Sequence, residues 1–252
     1  MPLKGHYFIS DAHISENDWQ NTEQLLKFFD SLKNRAQSLF ILGDLLELCF
    51  RYRQGIPETN RKILEGLNIL KGSGTAVYYL LGNHDYWVSD CARKEPSLKS
   101  LAAKDDEAGG ILSRTEWSLN LDGKKVYIAH GDEIDRSLLT TLSRTILRSQ
   151  HSPLVYFLLH PRLGLAYSRW FEKIARNLAG SMGITAKFES FAIKKIKEGY
   201  DIVILGHIHK PTLFKIESGY YLNTGNWIDN YSYGVIEDSI PRLEKFITGK
   251  KV

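Results

Sequence analysis

The sequence predicts an α/β fold on parallel strands, from three observations. Up to Gly82, apolar strand-like runs alternate with amphipathic helical stretches in the order β-α-β-α-β, which implies parallel strands joined by right-handed crossovers. Polar, metal-competent side chains recur at the carboxyl end of one expected strand after another, the edge where open α/β sheets assemble their sites. A helical stretch, about 136–199, then interrupts the strand pattern. With 252 residues the chain is one large domain or one domain with an insertion. The expected division is a core of 1–135 and 200–252 and an insertion of 136–199.

His6-Tyr7-Phe8-Ile9 is aromatic and β-branched and reads as the first strand, ending in Ser10-Asp11-Ala12-His13. A helix follows, with Asn17 as cap, Gln20 completing a capping box, and Leu25, Phe28, Phe29 and Leu32 on one face. Ser38 to Leu42 is the second strand and runs into Gly43-Asp44-Leu45-Leu46-Glu47. A helix from Pro57 to Lys71 puts Ile63, Leu67 and Leu70 on one face, and Gly72-Ser73-Gly74 stops it. Ala76 to Leu81 is the third strand, ending in Gly82-Asn83-His84-Asp85. Trp117 to Leu121 and Lys125 to Ala129 flank an Asp122-Gly123 turn as a hairpin that ends in His130-Gly131-Asp132. After the helical stretch, strands are expected at Asp201–Leu205, Thr212–Ile216, Tyr220–Asn223 and Tyr233–Glu237.

Composition narrows the class. The chain is 43% hydrophobic and 25% charged, which supports a core and sets disorder aside. The net charge of +4 is too mild to argue for nucleic acid. Two cysteines, Cys49 and Cys91, make no disulfide framework and fit a reducing compartment. The N-terminus has no signal-like apolar segment, and no apolar run reaches the roughly 18 residues of a spanning helix. The expected location is cytoplasmic, with peripheral contact to the inner face of the inner membrane.

The strand ends carry Asp11 and His13, Asp44, Asn83 and His84, His130, then His207 and His209. Singly, each has a structural reading: Asp11 capping a turn, Asp44 an N-cap, Asn83 and His84 loop polar groups. Their recurrence in order is hard to explain as capping. After a strand ending at Leu205, extended geometry would point His207 and His209 the same way, at one point. Carboxylate, imidazole and amide oxygen without thiolate favour Mn, Fe, Zn or Co over a structural cysteine–zinc site. Seven ligands exceed one ion's usual coordination and suit two, about 3.5–4 Å apart, sharing a carboxylate.

The series Asp11-x-His13, Gly43-Asp44, Gly82-Asn83-His84-Asp85, His130, Gly206-His207-x-His209 resembles the signature of the calcineurin-like metallophosphoesterases over nearly the whole chain. The resemblance implies a two-sheet αββα sandwich. It implies that Asp11, His13, Asp44 and His209 bind one divalent ion and Asp44, Asn83, His130 and His207 the other, Mn(2+) foremost. It casts His84 as the residue acting on the transition state or leaving oxygen and Asp85 as the partner orienting its ring. Glu47 is placed outside the ligand shell.

The insertion is apolar and basic. Leu138, Leu139, Leu142 and Ile146 make one stripe, and Tyr167, Phe171, Ile174 and Leu178 another. From Arg136 to Arg176, seven basic residues, including Arg144, Arg148, Arg169 and Lys173, face a single acid, Glu172. Packing between helices accounts for the stripes equally well, but the lopsided charge suits an anionic lipid or membrane surface. His160-Pro161-x-x-Gly164-x-Ala166-x-x-x-Trp170 and Tyr221-Leu222-Asn223-Thr224-Gly225-Asn226-Trp227-Ile228 resemble the UDP-2,3-diacylglucosamine hydrolases of lipid A biosynthesis and their paralogues. That resemblance implies a helical lid over acyl chains and a UDP-lipid pyrophosphate cleaved to UMP and a lipid monophosphate by a metal-activated hydroxide. It implies substrate contacts at Asn83, His84, Asp135, Arg136, Arg169, Trp170, Lys173 and His207. One departure is His84, where the well-known enzymes of that group carry Arg. It favours a second expectation, a phosphodiesterase or phosphatase of other specificity; a third is a non-catalytic scaffold. No protein partner is indicated.

Overall fold

Strict alternation along each strand sets the layers of this fold. The computed structural model describes residues 5–47, 56–102, 109–112, 114–134, 141, 144–146, 148–149 and 181–247. In β1 (His6–Ile9), Tyr7 and Ile9 face one way and Phe8 the other. In β6 (Lys124–Ala129), Val126 and Ile128 join Phe8 between the sheets, while Tyr127 and Ala129 face outward. A strand buried on both faces needs apolar side chains at every position, which is why these strands read as continuous apolar runs.

One sheet has six strands in the order β11-β10-β1-β2-β3-β4. Here β2 is Ser38–Leu42, β3 Ala76–Leu80, β4 Gly109–Ile111, β10 Ser232–Glu237 and β11 Ile240–Lys245. Strands β1 to β4 pair in parallel, and β10 and β11 are antiparallel additions. The second sheet has the order β5-β6-β7-β9-β8, with β5 Glu116–Leu121, β7 Ile202–Leu205, β8 Thr212–Ile216 and β9 Gly219–Asn223. Helices α1 (Trp19–Leu32) and α2 (Glu58–Gly72) cover the first sheet through Leu25, Phe28, Phe29, Ile63 and Leu67. The result is the expected two-sheet sandwich with helices outside both sheets.

Several local expectations change. The cap of α1 is Asp18, whose side chain accepts the Asn21 N–H at 3.3 Å, and not Asn17. The chain from Val88 to Ala102 folds into short helices α3 (Val88–Lys94) and α4 (Lys99–Ala102), with a 3-10 turn at Pro96–Leu98. Strand β4 is Gly-Gly-Ile and β11 is Ile240-Pro241-Arg242-Leu243-Glu244-Lys245, with a proline and three charged residues in six, so neither shows a clear period-2 apolar pattern. Proline is tolerated in β11 because it is an edge strand.

Helix α5 (Ser181–Lys197), in the stretch expected to be the insertion, packs on the second sheet. Phe188 and Ala192 are fully buried against Tyr127, Val203, Leu205 and Tyr221. Helical periodicity names an apolar face without naming its partner, so this boundary was invisible in the sequence. No helix among the described residues is long and apolar enough to cross a membrane.

Candidate metal centre

Register brings the strand ends to one edge. Ile9 pairs with Ile41 and Leu42 with Leu80 in the first sheet, and Ala129 pairs with Leu205 in the second. The loops leaving β1, β2, β3, β6 and β7 therefore start side by side. The two sheets are joined there: the His207 N–H donates to Asp11 Oδ2 at 2.8 Å, and His130 Nδ1 lies 2.8 Å from the Leu42 carbonyl.

The backbone is strained at this edge. Asp11, His13, Asp44, His207 and His209 all have positive φ, between 44° and 70°. Left-handed conformations cost non-glycine residues on the order of 1–3 kcal/mol each and gather at functional sites. Loop hydrogen bonds hold them, among them Asp11 N–H to Gly43 O at 3.2 Å and His13 N–H to Asp44 O at 3.0 Å. This corrects the extended reading of the Gly206-His207-x-His209 turn. The two histidines do not share one target: His207 Nδ1 lies 3.2 Å from His130 Nε2, while His209 Nε2 lies 3.3 Å from His13 Nε2.

Two side-chain groups are each able to hold a cation, Asp11 with His13 and His209 and Asp44 with His130 and His207, and a third, His13 with Asp44 and His84, overlaps both. Asp44 stands between the first two, with Oδ2 3.3 Å from His130 Nε2 and 3.9 Å from His13 Nε2. Asn83 Oδ1 lies 3.1 Å from His130 Nε2. Ligand atoms about 2.1 Å from a common ion stand about 3.0–3.4 Å apart, so these separations fit. Asp11 Oδ1 is buried and has no hydrogen-bond partner, although His209 Nε2 is 3.3 Å away. A carboxylate oxygen left unsatisfied in the interior is costly without a cation. The oxygen and nitrogen donor set therefore suits two divalent ions.

Hydrogen bonds behind the rings assign tautomers. His130 Nδ1 lies 2.8 Å from the Leu42 carbonyl, which can only accept, so Nδ1 carries the proton and Nε2 faces the site. His13 Nδ1 donates to Glu47 Oε2 at 2.8 Å in the same sense. Burial alone would lower His13, but the Glu47 carboxylate outweighs it and holds the ring at about 8. Burial would likewise lower His130, and the adjoining Asp44 charge carries it up to about 10. Burial and the charge on His130 push His207 down to about 4. Burial opposes ionisation of Asp44, but His130, His84 and His13 hold it well below the usual carboxylate range.

His84 sits at the margin of both groups. Its N–H donates to Asp44 Oδ1 at 2.8 Å, and its ring meets that of His13 edge-on at 4.8 Å between centroids. The expectation that Asp85 orients this ring is corrected. Asp85 is fully buried and accepts from Gly82 N–H and Leu45 N–H, both at 2.9 Å, and from the Tyr79 hydroxyl at 2.5 Å. It braces the turn after β3. The carboxylate that meets His84 is Glu47, with Oε1 3.1 Å from Nδ1. One carboxylate thus holds His13 and His84 together. Its place four residues after Gly43 offered only a weak signal, because the bidentate contact exists only once the loops after β1, β2 and β3 converge.

Gly82 makes room for Asp44. A Cβ at Gly82 would stand 2.1 Å from Asp44 Oδ1 and 2.5 Å from Asp44 N. Gly82→Ala is expected to displace this carboxylate and lower bound metal severalfold, measured by elemental analysis of purified protein. Gly72→Ala, where an added Cβ meets nothing within 4 Å, should leave the metal content unchanged. Equal metal content in the two variants would refute the packing argument.

Among the expected site residues, Asp11, His13, Asp44, Asn83, His84, His130, His207 and His209 converge at this edge. Asp135, Arg136, Arg169, Trp170 and Lys173 lie outside the described residues.

Fold and site together define a phosphoesterase, a hydrolase of phosphoric esters. The chain belongs to the calcineurin-like phosphoesterase family, whose model matches residues 7–211. A Haemophilus influenzae (strain PittGG) protein named UDP-2,3-diacylglucosamine hydrolase is 27% identical over 237 residues, covering 91% of this chain and 93% of its own. A Porphyromonas gingivalis protein of the same name is 28% identical over 169 residues; this match spans 64% of the chain and 60% of that protein's length. A solved archaeal phosphodiesterase shares the fold, with a TM-score of 0.50 and 16% identity over 96% of this chain and 99% of its own.

Proposed function

We propose that the protein hydrolyses the pyrophosphate of UDP-2,3-diacylglucosamine, giving UMP and 2,3-diacylglucosamine 1-phosphate. The observation that carries this reading is the extent of the similarity. A match over 91% of the chain cannot omit the stretch 136–199, so the likeness to the Haemophilus protein runs through the insertion as well as the phosphoesterase core.

Asp11, His13, Asp44 and His209 would hold one divalent ion and Asp44, Asn83, His130 and His207 the other, with Mn(2+) first and Fe, Zn or Co as the other candidates. Such ions supply Lewis-acid charge for phosphoryl oxygens and make water acidic enough to attack near neutral pH. The chain's own contribution is orientation and proton handling. Glu47 accepts from His84 Nδ1 and stabilises the doubly protonated ring, so His84 can give its Nε2 proton to the leaving oxygen. Burial of Asp44 keeps its charge unscreened, and Asp85 fixes the turn that presents Asn83. The same reading places Asp135, Arg136, Arg169, Trp170 and Lys173 on the anionic lipid-linked nucleotide, and the chain against an anionic membrane surface on the inner face of the inner membrane.

The test compares three substrates with the intact, metal-loaded protein: the acylated UDP-glucosamine, its deacylated form and a small chromogenic diester. The acylated compound should be cleaved with far higher kcat/KM, because remote acyl binding positions the pyrophosphate. Equal efficiency with the first two refutes the lipid reading. His84 in place of Arg favours a second reading, a metal-dependent phosphodiesterase of other specificity, which that result would support.

A further inference from the structure

Arg148 comes from the expected insertion, yet its guanidinium rests on the phosphoesterase core. Nη2 donates to Asp132 Oδ2 at 2.7 Å and Nη1 to Glu133 Oε1 at 3.2 Å. The guanidinium carbon lies 5.0 Å from the centroid of the Tyr86 ring. Arg144, one helical turn earlier, donates from Nη1 to the Asp132 carbonyl at 3.1 Å. Asp132 is fully buried two residues after His130, and Tyr86 follows two residues after His84. A single side chain therefore touches both loops that carry Asn83, His84 and His130.

The chemistry of the contact says what Arg148 does not do. Two carboxylates face one guanidinium, and both terminal nitrogens are engaged, so no net positive charge is left to attract a phosphate. The Asp132 side chain is only 1% exposed and that of Arg148 17%. A charge-assisted pair this far from water is directional, and losing one partner strands the other in the interior. The stack on Tyr86 further fixes the guanidinium plane.

We infer that Arg148 is a positioning residue, a clamp that, together with Arg144, fastens its own turn of chain to Asp132 and Glu133 at the metal edge. It governs capture of a large substrate and leaves the phosphoester chemistry alone. The identity of that large substrate rests on the proposed function; the clamp itself does not.

The experiment uses the full-length, metal-loaded protein and the variants R148A, R148K and D132N. Amide hydrogen exchange is followed in peptides covering 130–134 and 141–149, alongside metal content and kinetics with bis-p-nitrophenyl phosphate and the acylated UDP-glucosamine. R148A should exchange faster in both peptides while metal content and small-diester turnover stay within about twofold of wild type. Its kcat/KM for the acylated substrate should fall about tenfold or more, chiefly through KM, in the range typical of supporting contacts around a metal site. R148K should recover part of the loss, since lysine keeps the charge without the bidentate fork or the stack. Unchanged exchange in R148A overturns the clamp, as does an equal loss on both substrates. If R148A fails to fold, R148K and D132N decide by the same exchange measurement. A wild-type protein that cleaves the diester but not the acylated nucleotide sinks only the substrate reading, because exchange still decides the clamp.

Discussion

Replacing Asp44 with asparagine is expected to empty the metal centre and reduce phosphodiester turnover to background. Asp44 stands between the Asp11 and His130 ligand groups, with Oδ2 3.3 Å from His130 Nε2 and 3.9 Å from His13 Nε2. It is buried, so its charge is neither screened by solvent nor replaceable by it. Asparagine keeps the shape and can still accept the His84 N–H through Oδ1, which preserves the loop. It removes the negative charge that offsets the imidazoles and the anionic oxygen that two cations would share. The measurement is metal per chain by elemental analysis, with thermal unfolding as a check that the fold persists. Full metal content in a folded Asp44→Asn protein would rule out the bridging role.

Truncating His84 to alanine is expected to separate chemistry from metal binding. Asn83 Oδ1 points at His130 Nε2, whereas His84 Nδ1 points at Glu47 Oε1. Metal content should stay near that of wild type while kcat falls at least about 10²-fold, the lower range for loss of a general acid. Glu47→Gln should fall between the two behaviours. It weakens the support of both His84 and His13, and outer carboxylates of this kind typically contribute about 10–100-fold in affinity or activity. If His84→Ala loses metal in step with activity, His84 is a ligand and its assignment as proton donor is wrong.

Much of this was legible in the chain. A parallel sheet buried on both faces demands uninterrupted apolar strands, and such strands end abruptly where the side chains turn polar. Leu42 before Gly43-Asp44 and Leu205 before Gly206-His207 mark those ends to the residue. Less visible were β4 and β11, where glycine and proline erase the alternation, and the role of α5, whose apolar face could have packed on anything. The charge excess of the insertion is a property of the sequence alone.

What the sequence determined by itself is the inventory of the site: which carboxylates, imidazoles and amide stand at strand ends, in what order, and hence that they can hold divalent cations; the phosphoesterase chemistry came with the family resemblance. These are local properties, since the pattern of burial fixes where a strand stops and the residue after it is free to be polar. The tertiary structure decided which atoms meet. It sent His207 and His209 to different partners because both adopt left-handed backbone after β7. It gave His84 to Glu47 and turned Asp85 inward to brace Gly82, Leu45 and Tyr79, a choice between two carboxylates flanking the site that spacing alone cannot make. Hydrogen-bond partners depend on distances of a few tenths of an ångström between loops far apart in sequence, and only the packed sheets set those distances.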